Sequence, residues 1–311
     1  MSPFKAFSKL PKDRYTITIG TFDGVHRGHQ KLIEHLKETA RTRGTKSLVI
    51  TFFPHPAEVL RGKDTIQLLT TNHERTFSLK SQGVDRVVTM PFTLALSKLT
   101  AIEFLSALAK SFKLDSFVVG YDFTLGHNRE GDFARIEEIG RELGFTTIDG
   151  TALEVGGKPV SSTTIRQLIQ SGDVSSAGDL LGRYYALSGP VVSGDGRGSK
   201  LGFPTANISY PPQKVIPQLG VYATWVTIGK HVLPAVTNIG LRPTFDDQIP
   251  HPRLEAFILE DIGDIYGKEL AVHFVSHLRQ EQKFASVDAL IAQIDQDKLK
   301  AMEVLRHAQK P

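Results

Sequence analysis

The spacing of apolar residues changes character once along this chain, near residue 183, and that change restricts the fold more than any other feature. Ahead of it, strand-like and helix-like segments alternate. Residues 15–19 form a short β-rich run. Residues 29–42 carry Leu32, Ile33, Leu36 and Ala40 at helical spacing and stop near Gly44. Residues 47–53 are continuously apolar, the mark of a strand covered on both faces. Residues 85–90 and 116–119 read as further strands and residues 101–112 and 132–143 as helices. Residues 161–170 read as a last helix with a Ser/Thr cap. This alternation predicts a parallel sheet with helices on both faces. Beyond residue 183 the apolar runs are strand-like and separated by Gly and Pro: 184–192, 221–228, 231–239, 254–259 and 269–278. Many strands with such punctuation predict a barrel or sandwich, closed here by one amphipathic helix over 287–308. The boundary is placed in the Gly/Ser cluster at 171–183, giving domains 1–182 and 183–311.

Several classes are excluded early. The chain has no cysteine, hence no disulfide framework, thiolate zinc site or cysteine nucleophile. No apolar run approaches the roughly 18 residues of a membrane span, and residues 1–10 lack a signal-type apolar stretch, so the expected compartment is cytoplasmic and no membrane partner is expected. Residues 1–182 hold 23 Lys+Arg against 20 Asp+Glu, and residues 183–311 hold 14 against 13, which sums to the net charge of +4. A nucleic-acid binder concentrates its charge. This diffuse excess fits small anionic ligands, so small-molecule substrates are expected, with no nucleic acid, in a monomer or weak homo-oligomer.

The first candidate site is Gly20-Thr21-Phe22-Asp23-Gly24-Val25-His26-Arg27-Gly28-His29-Gln30, which follows the first strand and opens the first helix. In an open α/β sheet, ligands bind beyond the carboxyl ends of the strands. Free N–H groups at a helix start attract anions. His26 and His29 are three apart and can share one edge of the first turn. Gly28 between them lets a phosphate approach the backbone. Two imidazoles there suit a polyphosphate whose charge grows during nucleotidyl transfer. The alternative is a capped surface turn with incidental histidines. A metal-binding pair would need different spacing.

This stretch resembles the H-x-G-H signature of the nucleotidylyltransferase superfamily. The longer string is similar to the adenylyltransferase half of the bacterial bifunctional riboflavin kinase/FAD synthetases. Three further segments agree: Thr51-Phe52-Phe53-Pro54-His55-Pro56, Val119-Gly120-Tyr121-Asp122-Phe123-Thr124-Leu125-Gly126, and Ser161-Ser162-Thr163-Thr164-Ile165-Arg166. The match departs at Leu125, where the family usually has Phe. The resemblance implies a Rossmann-like nucleotidylyltransferase domain in which His26 and His29 are catalytic. Gly20, Phe22, Asp23, Gly28, Asp122, Ser162, Thr163 and Arg166 would then meet the nucleotide, and Phe53, His55, Pro56 and Phe123 the flavin. By residue type alone, His55 between prolines is a turn residue, and residues 161–166 could be only a cap with a surface arginine.

In the second part no G-x-x-x-x-G-K-[ST] exists, which excludes a P-loop kinase. Gly194, Gly196, Gly198 and Gly202 by themselves read as a hairpin loop. Gly202-Phe203-Pro204-Thr205-Ala206-Asn207-Ile208 follows, and it resembles the P-T-A-N motif of riboflavin kinases. Thr205 and Asn207 alternate along an extended strand, so both point to one side. Both offer hard oxygen ligands suited to Mg²⁺, which keeps few protein ligands beside phosphate and water. The resemblance continues through 220–223, Asn238-Ile239-Gly240-Leu241-Arg242-Pro243-Thr244-Phe245, 254–259, 264–267 and 278–284. It implies a β-barrel riboflavin kinase domain with a C-terminal helix. There Gly196, Gly202, Pro204, Thr205 and Asn207 would bind nucleotide, Thr205 and Asn207 would hold Mg²⁺, and Arg279 would meet the flavin. Glu255 lies in a strand with Phe257 next on its face; partial desolvation makes a carboxylate a better base. The alternative is an ion pair with Arg253 or Arg242, and Glu260 and Asp261 read as turn residues. The whole resemblance implies ATP-dependent phosphorylation of riboflavin to FMN, then adenylylation of FMN to FAD with release of pyrophosphate. Rival readings are a first domain acting on another acceptor, or a non-catalytic flavin sensor or RNA-binding regulator that retains the fold.

Overall fold

The computed structural model describes residues 2–62, 65–150, 153–155, 158–194, 198, 201–241 and 252–311. By packing, the chain divides into two compact units, Met1–Ser162 and Thr163–Pro311.

In the first unit, β1 (Arg14–Ile19), β2 (Lys46–Phe53), β3 (Arg86–Pro91), β4 (Lys113–Gly120) and β5 (Thr146–Gly150) form one sheet in the order β3-β2-β1-β4-β5. Every neighbouring pair is parallel. Helices α1 (Arg27–Arg43), α2 (Pro56–Arg61), α3 (Asn72–Ser81), α4 (Ala101–Ser111) and α5 (Phe133–Leu143) connect the strands. The period of two splits the strand residues between two cores. Ile17, Leu48, Ile50 and Phe117 pack with Leu105 and Ile136 on one face. Val49 and Val118 pack with Ile33, Leu36 and Leu79 on the other. Helix ends follow local chemistry. Thr100 and Glu103 form a capping box at the start of α4, and Gly44 ends α1 in the left-handed region at φ 62°. The chain leaves β1 for β2 on one side and later returns to β4 on the other. In an open α/β sheet, the point beyond the carboxyl ends of the strands where the order reverses, here β1 and β4, is where ligands bind. A short hairpin, β6 (Glu154–Val155) and β7 (Lys158–Pro159), precedes α6 (Ser162–Gln170).

The second unit contains α7 (Val174–Leu181) and six strands: β8 (Tyr185–Val192), β9 (Ala206–Ile208), β10 (Gly220–Ile228), β11 (His231–Gly240), β12 (Arg253–Ile258) and β13 (Glu269–Arg279). They close an antiparallel barrel in the order β10-β11-β12-β9-β8-β13, with β13 returning to β10. Helix α8 (Val287–His307) covers part of the outer wall, where Ala301 and Leu305 pack on Val221, Ala223, Trp225, Val236 and Val275.

The α/β domain followed by a barrel and closing helix is thus as expected. The division between units falls earlier than the expected boundary after residue 182. Val174, Ala177 and Leu181 are buried, and α7 lies against β8 and β13, so the Gly/Ser-rich segment belongs to the barrel unit. Among the described residues no helix is long and apolar enough to cross a membrane.

Candidate active sites

The loop between β1 and α1 adopts an unusual backbone. Phe22, Gly24 and Val25 all have positive φ, at 50°, 82° and 42°. For a β-branched valine this conformation is strained and needs support from its surroundings. Asp23 supplies it. The Asp23 carboxylate accepts from the backbone N–H groups of Leu69 and Thr70, each at 2.9 Å, and from the Thr70 hydroxyl at 2.9 Å. The same hydroxyl accepts from the Gly24 N–H at 3.0 Å. Phe22 is buried beside Gly20, where an added Cβ would lie 3.1 Å from its ring.

This loop delivers the two histidines. His26 is the N-cap of α1, its Nδ1 accepting from the His29 N–H at 3.4 Å. The two rings stack with centroids 3.6 Å apart at 19°, and Phe22 meets His29 edge-on at 5.0 Å. Gly28 allows this, since a Cβ there would sit 3.2 Å from the His26 ring. The Nδ1 atom of His29 is buried without a protein partner. Burial first, and the adjacent His26 second, hold the His29 imidazole well below its ordinary pKa. His29 is therefore neutral near pH 7. Ser162, the first residue of α6, donates to the Asp23 carbonyl at 2.9 Å. Thr163 is exposed and Arg166 half-buried, one turn further along α6.

Other expected residues separate by role. Asp23 is wholly buried and its carboxylate is engaged with residues 69 and 70, so it shapes the loop. Phe22 likewise packs. His55 is buried as the N-cap of α2; its Nδ1 accepts from the Ala57 N–H at 3.1 Å, and Glu58 returns a bond to the His55 N–H at 2.8 Å. That is the turn-residue alternative, with Pro56 opening the helix. Phe53 is 49% exposed at the end of β2, and Asp122 is exposed after β4. Phe123 packs edge-on against Phe117 at 5.7 Å. Thr70, which completes the loop, lies far from the motif in sequence; only the fold reveals it.

On the barrel, register assembles the second site. Asn207 of β9 pairs with Glu255 of β12, and Glu255 pairs with Asn238 of β11. Residues opposite one another across a ladder project to the same face with Cβ atoms about 4.5–5.5 Å apart. The three polar side chains therefore form one row. Their neighbours Ala206, Ile208, Leu254 and Ala256 are buried on the opposite face. Gly194 and Gly198 lie against this row. A Cβ on Gly194 would lie 2.2 Å from the Asn207 amide, and one on Gly198 3.5 Å from the Thr205 hydroxyl. Gly202 has φ 83° in the turn ahead of Pro204, which is exposed. Phe203 and Phe257 meet edge-on at 5.5 Å, with the Lys298 ammonium of α8 5.8 Å from the first ring and 5.9 Å from the second.

Arg279 stands elsewhere. Its guanidinium makes a paired contact with Asp297 of α8, Nε and Nη2 reaching the carboxylate at 3.0 and 2.8 Å, and Asp297 is 2% exposed. It fastens the closing helix to β13. Glu260 and Asp261 lie in a bend, where Asp261 accepts from the Gly263 N–H. Gly196 and Arg242 lie outside the described residues. No cluster of three or more His, Cys, Asp or Glu able to hold a metal occurs among the described residues. The oxygens of Thr205 and Asn207 on one side of a strand fit an ion whose remaining ligands are phosphate and water.

Comparison with known proteins agrees with this geometry. The family described as FAD synthetase matches residues 9–164, and the family described as riboflavin kinase matches residues 181–305. The bifunctional riboflavin kinase/FMN adenylyltransferase of Escherichia coli K12 is 40% identical over 298 residues, 95% of this chain and 94% of its own length. The protein of the same description from Bacillus subtilis is 32% identical, with 97% and 96% covered. A crystal structure of a Streptococcus pneumoniae protein, described as a macrolide-efflux protein, shares the fold with a TM-score of 0.87 at 30% identity, covering 97% of each chain.

Proposed function

The chain belongs to the bifunctional riboflavin kinase/FMN adenylyltransferases, and from that premise we propose which of its residues carry each reaction. It is an enzyme of flavin biosynthesis that uses ATP to phosphorylate riboflavin to FMN and then adenylylates FMN to FAD.

In the barrel, Glu255 accepts the proton of the riboflavin 5′-hydroxyl. The oxygen attacks the γ-phosphorus of ATP, the bond to the β-phosphate oxygen breaks, and ADP leaves. Thr205 and Asn207 hold the nucleotide phosphates together with Mg²⁺, which when bound supplies positive charge to them. In the α/β unit, a phosphate oxygen of FMN attacks the α-phosphorus of a second ATP. The bond to the bridging oxygen breaks and pyrophosphate departs. His26, His29 and Ser162 orient the triphosphate and stabilise charge on it, and Thr163 and Arg166 of α6 are further nucleotide-binding candidates. Phe53 and Asp122, exposed at the carboxyl ends of β2 and β4, are the flavin- and nucleotide-facing candidates there. The enzyme works in the cytoplasm on small molecules, as a monomer or weak homo-oligomer.

The observation that carries this division is that the His26–His29 stack and the Asn207–Glu255 rung lie in different compact units. The test is a crossed pair of variants. Glu255→Gln keeps size but removes the proton acceptor, and is expected to slow FMN formation by about 10²–10⁴-fold. His29→Ala is expected to slow FAD formation from supplied FMN by about 10²–10³-fold. Each variant should spare the other reaction, read by separating flavins chromatographically. Loss of both activities in either variant defeats the assignment.

A further inference from the structure

We propose that Asn238 is a positioning residue for the Glu255 carboxylate, an inference that rests on Glu255 being the kinase base. Asn238 stands directly across the β11–β12 ladder from Glu255, as Asn207 does across the β9–β12 ladder. Glu255 is thus flanked by a carboxamide on each side of its rung. Both amides are set by the same device. Gly194 leaves room against Asn207, where a Cβ would come within 2.2 Å of the amide nitrogen. Gly240 leaves room against Asn238, where a Cβ would lie 2.9 Å from its amide nitrogen and 2.3 Å from the Glu281 carboxylate.

The amide nitrogen of Asn238 donates to Glu281 Oε1 at 3.5 Å. A carboxamide has two N–H donors and one acceptor oxygen. One N–H is turned toward Glu281, and we assign the second to the other carboxylate on the face, that of Glu255, across the ladder. Donation to the charged form of Glu255 would favour the deprotonated state that a base requires. Glu281 in turn fixes which way the amide is turned, because a carboxylate accepts only from the nitrogen end. Asn238 touches neither the phosphates nor the flavin in this arrangement; it acts through Glu255.

The test is the pH profile of FMN formation. Asn238→Asp places a second carboxylate beside Glu255 and removes the donor, so the acid limb of kcat should move up by about one pH unit. KM for ATP should stay within about twofold. Asn238→Ser and Gly240→Ala, both milder, should lower kcat about three- to tenfold, with a smaller shift of the acid limb in the same direction. Circular dichroism melts establish that each variant is folded. Should Asn238→Asp not fold, Asn238→Ser carries the test. A folded variant whose pH profile superposes on that of the wild type overturns the inference. Glu255→Gln, run alongside, separates the two readings. If it retains full turnover, the base assignment itself fails. If it is inactive while Asn238→Asp shows no shift, only the role of Asn238 fails.

Discussion

The two sites reach comparable chemistry by opposite constructions. The histidine pair rests on a loop whose backbone is strained at Phe22 and Val25 and is held by a wholly buried Asp23. The Asn207–Glu255–Asn238 row rests on a hydrogen-bonded ladder with ordinary strand geometry. In the first, side-chain position depends on an internal carboxylate that braces the loop. In the second, register alone places the polar groups, and glycines merely leave them space. A helix-start site therefore concentrates its vulnerability in one supporting residue, whereas a ladder site spreads it over many backbone bonds.

That contrast can be broken at Asp23. Asp23→Ala removes the acceptor for two backbone N–H groups, at about 1–3 kcal/mol for each buried group left unsatisfied. The α/β unit should unfold at markedly lower urea and lose FAD formation, while FMN formation persists. An unchanged urea midpoint would show that the strained loop supports itself.

Thr205→Ala probes the ladder side, where a smaller effect is expected because the strand survives the change. FMN formation should need more Mg²⁺ and fall by up to about tenfold, the size of one contact worth roughly 1.4 kcal/mol. A Mg²⁺ titration indistinguishable from wild type removes Thr205 from the site.

The smallest effect is a matter of pH. The folded state holds His29 well below its ordinary pKa, by burial first. The stabilisation this represents is complete above the unfolded value near 6.5 and is lost as pH falls below it, because only the unfolded chain then takes up the proton. The α/β unit should lose stability below pH 6.5 with a slope of at most about 1.4 kcal/mol per pH unit from this group. His29→Gln should flatten that slope; if the slope persists unchanged, another group is responsible.

Much of this architecture was legible in the apolar spacing, for reasons visible in particular elements. β2 is buried along most of its length and α1 presents Ile33, Leu36 and Ala40 inward, so both advertise themselves. α3 does not. Its inward face carries Arg75, 1% exposed, beside Leu79, while Phe77 points outward at 68% exposure, which inverts the usual pattern. Arg75 is tolerated because it donates to the Phe52 carbonyl at 2.6 Å and to Asn72 at 3.1 Å. α7 reads as a linker because Ser and Gly surround three small or aliphatic contacts, Val174, Ala177 and Leu181. β9, three residues long, is too short for periodicity to show. At the sites, motif position identified where ligands belong but not which members support the others. Asp23 and Arg279 are as polar as any ligand-binding residue, and only their partners at residues 69, 70 and 297 distinguish them. Asn238 needs the β11–β12 register before it has any meaning.

The closure of the barrel by β13 has a consequence for a chain that is still being made. The strands β10, β11, β12, β9 and β8 can pair in that spatial order as soon as they exist, but this is an open sheet whose two edges are β10 and β8. Only β13 joins them, and it is the last strand to be synthesised. Until residues 269–279 emerge, both edges offer unpaired backbone groups to any neighbouring strand, a template for association between nascent chains. The α/β sheet is open in its finished form as well, with β3 and β5 at its edges, so its pairing waits for no later strand. Interruptions of translation late in the message should therefore yield products that aggregate through the barrel half while the N-terminal half is already folded.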